Sequence, residues 1–412
     1  MTAAMTDSPV DNVDFDDLAD KVLAGGAVTA DEAVAVLRAD DSELMSIVAA
    51  AGRLRRKHFK NTVKVNYLVN LKSGLCPENC NYCSQAMGSE APILKYSYLS
   101  KEETLKQAGA GLKGGATRVC MVSSGRGPSD RDIAKVVEMT EALKDEYAGV
   151  EVCACLGLLK DGQAERLKAA GVDAYNHNIN TAESNHENIV QTHTYEDRID
   201  TIGKAKSAGL SPCSGLIAGL GETDEQLVEA LFALKELGSD SIPVNFLMPF
   251  DGTPYENTWE LSPVRCVKIL AMARFVCPDK EIRIAGGREM HLRSLQATAL
   301  QVANSIFLGD YLTSEGQDAL ADLEMLRDNG FLILGMDRDA FDELIASHRA
   351  GITHRAHATT PCGSSAGGCG DGCGGCSVST NSTDESVVEA AEASHTPAIR
   401  RRGAGTEVAA NA

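Results

Sequence analysis

The chain has 412 residues, of which 43% are hydrophobic and 5% aromatic, and its formal net charge is −19 at pH 7. That length allows one large barrel with tails or two domains, and the acidic balance disfavours nucleic acid or an anionic membrane as partner. No apolar run reaches the ~18 residues of a membrane span, no basic-then-apolar export segment opens the chain, and 13 cysteines without such a segment predict a reducing, cytoplasmic setting and metal ligation instead of disulfides.

Residues 1–60 read as an acidic, partly helical extension. Residues 1–50 set many Asp and Glu against Lys21 and Arg38 alone, and positions 30–54 carry apolar residues at helical spacing. A basic run follows at 53–58 (Arg53, Arg55, Arg56, Lys57, His58). It reads as a solvated helix end, with phosphate contact as the alternative.

After a first β-type run at 63–69 comes Cys76-Pro-Glu-Asn-Cys80-Asn-Tyr-Cys83. The C-x3-C-x2-C spacing puts three thiolates on one tight loop with no fourth partner nearby. A cubane iron–sulfur cluster has four irons, so three protein ligands leave one iron open to bind a substrate. Structural zinc closes its site with four protein ligands, usually from paired C-x2-C units. Zinc or chance is the competing reading.

Seven further β-type runs follow, at 118–123, 151–156, 174–179, 212–218, 241–247, 281–285 and 305–308. Helical-period segments separate them at 101–112, 133–147, 163–170, 195–208, 225–237, 263–276 and 291–304. Eight strands alternating with helices predict an α/β fold, a (β/α)8 TIM-type barrel over 61–335 with the helical extension before it. A helical segment over 336–360 and a low-complexity tail over 361–412 complete the chain.

Unusual residues fall on those strands: Cys120 on the second, Cys153 on the third, Asn178 on the fourth, Cys213 on the fifth, Asn245 on the sixth and Arg283 on the seventh. Barrel interiors are normally Val, Ile and Leu, and a buried arginine is costly unless an anion or acceptor meets it. Each cysteine alone could be a small core residue. Cys155, two residues from Cys153, shares its face and competes for any ligand role. Cys266 and Cys277 read as packing residues on or after a surface helix.

These runs together resemble the biotin synthases of the radical S-adenosylmethionine superfamily over about 55–335. The matching segments are Lys72-Ser-Gly-Leu-Cys-Pro-Glu-Asn-Cys-Asn-Tyr-Cys83, Val119-Cys-Met121, Tyr175-Asn-His-Asn178, Cys213-Ser-Gly215, Gly219-Leu-Gly-Glu222, Pro243-Val-Asn-Phe246, Gly252-Thr-Pro254, Ile282-Arg-Ile284 and Gly287-Arg-Glu289. The resemblance implies a [4Fe–4S] cluster on Cys76, Cys80 and Cys83 whose open iron chelates S-adenosylmethionine. It implies a sacrificial [2Fe–2S] cluster on Cys120, Cys153, Cys213 and Arg283 that donates sulfur to dethiobiotin. Tyr82, Gly219, Gly221, Glu222 and Asn180 match the S-adenosylmethionine-binding positions, and Asn178 and Asn245 those that orient substrate. Where the family commonly has an acidic residue for the ribose, this chain has Asn180, whose amide can still donate and accept hydrogen bonds. Implied partners are reduced flavodoxin or ferredoxin, iron–sulfur assembly proteins and a second copy in a homodimer.

The resemblance does not reach the tail, where Cys369, Cys373 and Cys376 repeat the C-x3-C-x2-C spacing and Cys362 is a candidate fourth ligand. Low apolar content and high glycine predict disorder there. Incidental thiols and a metal or cluster-repair site are both open readings. Two rival functions also stand: an iron–sulfur carrier without catalysis, and another radical barrel enzyme.

Overall fold

A computed structural model describes residues 13–358 of the chain; the tail cysteines lie outside the described residues. Three helices come first: α1 (Phe15–Leu23), α2 (Ala30–Arg38) and, after a short 3-10 turn, α3 (Leu44–Phe59). The barrel follows as β1 (Thr62–Lys72), α4 (Lys101–Lys113), β2 (Arg118–Ser123), α5 (Asp130–Glu146), β3 (Glu151–Cys155), α6 (Gln163–Ala169), β4 (Ala174–Asn176), α7 (Glu183–Ile189) and α8 (Tyr195–Ser207). It continues with β5 (Ser211–Cys213), β6 (Leu216–Ala218), α9 (Asp224–Glu236), β7 (Ser241–Phe246), α10 (Pro263–Val276), β8 (Glu281–Ile284), α11 (Arg288–Leu292), α12 (Gln296–Ala299) and β9 (Ser305–Leu308). After the barrel come α13 (Ala319–Asp328), β10 (Leu332–Ile333) and α14 (Arg338–Ala358).

All pairings between these strands are parallel, and β9 returns to β1, so eight staves close a (β/α)8 barrel. Five helices start on a capping box, from Thr29 with Glu32, Ser100 with Glu103, Ser129 with Asp132, Thr194 with Asp197, and Thr223 with Gln226. Each such cap contributes about 1 kcal/mol. No helix among the described residues is long and apolar enough to cross a membrane.

Several expectations need correction. The fifth stave is not continuous over 212–218 but breaks between β5 and β6 at Ser214-Gly215. The backbone there passes so close to β7 that a Cβ on Gly215 would lie 1.9 Å from the Pro243 carbonyl oxygen. The fourth strand ends at Asn176, so Asn178 stands in the loop beyond it; its Oδ1 accepts from Gly215 N at 3.0 Å and replaces a ladder bond across the break. The helix expected over 291–304 is interrupted, because Arg293 takes a φ of +48°. The helices α7 and α11 and the short strand β10, which pairs with the start of β1, had no expectation.

The helix α10 is not a surface helix. Every residue from Cys266 to Val276 is buried, because α2 and α3 cover its outer side. Cys266 and Cys277 are core residues accordingly. Nor is the basic run wholly solvated. Arg55 is buried and donates from Nε to Ala303 O at 3.1 Å and from Nη2 to Thr62 O at 2.8 Å. Arg274 on α10 donates to the carbonyls of Val302, Pro278 and Lys280. Burial pushes Arg55 down to about 10 and Arg274 to about 9. Both gather loose carbonyl ends at the N-terminal face of the barrel, where an unpaired buried C=O would cost about 1–3 kcal/mol.

Candidate active site

The first thiol set lies where β1 leaves the C-terminal rim. The loop turns at Gly74 (φ +73°) and Leu75 (φ +55°), then folds on itself through Cys76 N to Gln85 O at 3.2 Å, Cys83 N to Cys80 O at 3.0 Å and Ala86 N to Cys83 O at 3.1 Å. Its side chains anchor it to the segment after α7. The buried Glu78 carboxylate accepts from His193 Nδ1 at 2.5 Å, Arg126 Nη1 at 3.1 Å and the Thr192 hydroxyl. Asn79 Oδ1 accepts from the backbone of Gln191 and Thr192, and Asn81 N donates to Ile189 O. Three cysteines are therefore presented by a loop fixed from both sides. Burial pushes the Cys76 and Cys80 thiols up, and Cys83 up to about 12. These are protonated groups that surrender protons when a metal binds.

The second set lies below, inside the barrel. Cys120 on β2 is directly paired with Cys153 on β3, and Cys213 ends β5. All three are at most 4% exposed. The Cys153 thiol hydrogen-bonds to both others. That bond is the main cause pulling Cys120 and Cys213 down, while the same two partners push Cys153 well up. Asn176 Nδ2 also donates to Cys213 Sγ at 3.2 Å. Cys155 points the same way as Cys153 but stands two residues nearer the rim, at the level of Val122. Register pairs Cys153 with Cys120, and the thiol contacts add Cys213 to the group.

Arg283 reaches this layer from β8. Its Nε and Nη2 donate to Glu281, Nη2 also to Ser241 Oγ at 2.9 Å, and Nη1 lies 3.7 Å from Cys213 Sγ. Beneath it Lys64, Arg118 and Glu151 join Glu281 in an ionic group. Burial alone would raise Glu281, but Arg283, Arg118 and Lys64 hold its carboxyl well below the usual range.

The first set and, from the second, Cys120 and Arg283 border one cavity of about 370 Å³, while Cys153 and Cys213 lie behind its lining. Cys76, Cys80 and Cys83 border it at the rim, while Cys120, Cys155 and Arg283 border it at the floor. Tyr82, Asn178, Asn180 and Asn245 stand in its wall. Asn180 takes a φ of +69°, which asparagine tolerates better than most residues. Its Oδ1 accepts from the Tyr82 hydroxyl at 2.5 Å and Arg198 Nη1 at 3.2 Å. Asn245 spans two backbones, accepting from Gly286 N at 3.0 Å and donating to Leu216 O at 3.1 Å. Asn178 and Asn245 thus brace irregular main chain as well as lining the cavity.

Gly219, Gly221 and Glu222 do not line it. They border a second cavity beside Arg38, Arg265 and Lys268, on the side facing α2 and α10. Glu222 accepts from Gly219 N at 2.8 Å and Leu220 N at 2.6 Å, closing its own turn. Only Leu220 of this loop faces inward, packing in the small cluster that Tyr82 joins.

Glu78, Asn176, His193 and Arg198 were not anticipated. Glu78 sits within the cysteine motif, yet glutamate between ligands carries no signal of a buried anchor. Arg198 lies in the first turn of α8, 5% exposed, with Nη1 on Asn178 O at 2.8 Å. A cation at a helix start is unfavourable for the dipole, and that was the one available hint. Among the described residues no three or more His, Cys, Asp or Glu side chains converge on a single metal ion.

Comparison with known proteins identifies the family. The Radical SAM superfamily model matches residues 71–234, and the Biotin and Thiamin Synthesis associated domain matches 243–332. The biotin synthase of Saccharopolyspora erythraea is 84% identical over 328 residues, covering 80% of this chain and 92% of that protein. That of a Nocardioides species is 70% identical over 398 residues, covering 97% and 99%. Among solved structures, methylornithine synthase superposes with a TM-score of 0.68 at 20% identity, covering 79% of this chain and 99% of that one. The FeFe-hydrogenase maturase HydG of Carboxydothermus hydrogenoformans gives 0.67 at 19%, covering 79% and 80%. At such identities these two attest the fold alone.

Proposed function

The chain belongs to the biotin synthase family, and from that premise we propose how its two thiol sets divide the work. It is a radical S-adenosylmethionine enzyme and a sulfurtransferase, acting in biotin synthesis by radical sulfur insertion. We assign Cys76, Cys80 and Cys83 to a [4Fe–4S] cluster, and Cys120, Cys153, Cys213 and Arg283 to a [2Fe–2S] cluster. When bound, the first supplies the electron that cleaves S-adenosylmethionine to a 5′-deoxyadenosyl radical, and the second supplies the sulfur that joins dethiobiotin.

The donor sets fit. Three thiols on an anchored loop match an iron with one open position. Three thiols and one guanidinium nitrogen meet at one level of the barrel. The observation that carries the reading is the single cavity that joins the rim thiols to Cys120 and Arg283, since a carbon radical formed near the rim can then meet sulfur deeper in the barrel. Tyr82, Asn180 and Arg198 form the wall suited to the nucleoside and its charged methionine end. Gly219, Gly221 and Glu222 act from behind, by setting Leu220 against Tyr82. Asn178 and Asn245 hold the βα loops that give the cavity its shape. The enclosing walls keep water from a primary radical.

The same reading takes residues 1–60 as the extension, 61–335 as the catalytic barrel, 336–360 as its helical appendage and 361–412 as a separate tail. Reduced flavodoxin or ferredoxin is the electron donor, iron–sulfur assembly proteins refill the site, and the working unit is a homodimer. The test is anaerobic reconstitution with Mössbauer counting of each cluster type, followed by assay for 5′-deoxyadenosine and biotin. Both clusters and both products are expected. Clusters without 5′-deoxyadenosine would make the chain a carrier, and 5′-deoxyadenosine without biotin would make it a different radical enzyme.

A further inference from the structure

Behind the floor of the cavity lies an acid to which the assignment above gives no role. Glu281 lies two residues before Arg283 on β8 and so faces the same way. Its Oε1 accepts from Arg283 Nε at 3.1 Å and Nη2 at 2.5 Å, and from Ser305 Oγ at 2.9 Å. Ser241 Oγ takes a second bond from Nη2 at 2.9 Å, and Ser305 Oγ meets Nε at 3.3 Å. Two of the three guanidinium nitrogens are thus held away from the thiols. Only Nη1 is within reach of sulfur, 3.7 Å from Cys213. The Phe307 ring covers one flat face, 5.1 Å from the guanidinium carbon.

Charge reinforces the geometry. The buried group counts Lys64, Arg118 and Arg283 against Glu151 and Glu281. Glu281 is the carboxylate that meets all three cations, at 3.7 Å, 3.5 Å and 2.5 Å. Glu151 bonds only Lys64 and Arg118, and its side chain is 41% exposed against 11% for Glu281. Two guanidinium groups can lie together in a barrel only with such an anion between them.

We propose that Glu281 is a positioning residue of the sulfur-donor site: it fixes Arg283 so that Nη1 alone is presented to the cluster. This rests on the assignment of Cys120, Cys153, Cys213 and Arg283 to that cluster. Partners behind a metal ligand commonly govern how tightly the metal is held.

The experiment compares wild type, Glu281→Gln, Glu281→Asp, Arg283→Leu and the Glu281→Gln/Arg283→Leu double variant, each reconstituted anaerobically. The readouts are the [2Fe–2S] Mössbauer signature, its visible absorption and its rate of loss to a chelator. Glu281→Gln should lose the second cluster about 10- to 100-fold faster, the usual range for such partners, with an altered signature for one iron. Glu281→Asp should fall between it and wild type. In the Arg283→Leu background Glu281→Gln should add nothing, because Glu281 acts through Arg283. A Glu281→Gln chain with the wild-type signature and loss rate, or full additivity in the double variant, would overturn the proposal. Should Glu281→Gln fail to fold, Ser305→Ala removes the hydroxyl shared by Glu281 and Arg283. It should shift the signature the same way and by less, and an unshifted signature would overturn the proposal. A wild-type chain lacking any [2Fe–2S] signature would remove the underlying assignment and this proposal together.

Discussion

The two thiol sets are built on opposite principles. Cys76, Cys80 and Cys83 come from eight consecutive residues, and local backbone turns bring them together. Cys120, Cys153 and Cys213 come from three strands, and the closed barrel brings them together, Cys153 directly opposite Cys120 and in contact with Cys213. The loop set needs outside anchors, Glu78 above all, because irregular backbone has no ladder to hold it. The barrel set needs none for its backbone, but it needs charge balance, because its side chains are almost fully buried. A loop site is thus exposed to loss of position, and a barrel site to loss of neutrality.

The sharpest way to break this contrast is at a rim ligand. Cys80→Ala should abolish reductive cleavage of S-adenosylmethionine altogether, since two thiolates do not hold a cubane. A normal yield of 5′-deoxyadenosine would refute the assignment. Next, Cys153→Ser should abolish biotin formation while some 5′-deoxyadenosine is still made, because the loop thiols and their Glu78 anchor lie outside β3. Cys155→Ser should retain the [2Fe–2S] absorption. If the two serine variants behave the other way round, the choice of Cys153 as ligand is wrong.

A smaller effect is expected at the anchor. Glu78→Gln keeps the shape but loses the charge that meets His193 and Arg126, so the first cluster should be lost to chelator about tenfold faster. Fold stability should fall by about 1.5–3 kcal/mol, the scale of a hydrogen-bonded charge. Iron retention and a denaturant midpoint measure the two effects, and an unchanged iron loss rate would show that the loop needs no anchor. The least effect is expected from cutting the chain after Ala358. The staves, β10 and α13 are all retained, so the shortened protein should assemble both clusters and make up to one biotin per chain. If the tail aids cluster repair, its loss should appear in cells only, as weaker growth without biotin. A truncated chain giving no biotin in vitro would place the tail in the catalytic machinery.

The barrel was legible because apolar runs of strand length alternate with helices, several of them side-chain capped, and those are local signals. The loop thiols were legible for the same reason. The strand thiols were legible only as a list of odd residues on strands, and contact inside the closed barrel turned that list into a site. Three things were hidden for identifiable causes. The break at Ser214-Gly215 depends on the close approach of Pro243, which no local pattern encodes. The outward turn of Gly219 to Glu222 depends on a carboxylate folding back on its own loop, whereas a Gly-x-Gly-Glu string looks like a ligand cradle. The role of Arg55 depends on carbonyls up to 248 positions away, so its run read as ordinary surface charge.

The cover that α2 and α3 lay over α10 has a consequence for how the chain is made. Those helices emerge first, with apolar faces whose main partner begins about 200 residues later. At about 5–20 residues per second of synthesis, they wait roughly 10–40 s with that surface unmatched. The capping box at Thr29 supports α2 meanwhile, whereas α3 has no side-chain cap and relies on the basic run at its C-terminal end, favourable for the helix dipole. The extension is therefore the segment whose handling on the ribosome should govern the yield of folded protein, although it lies far from the chemistry.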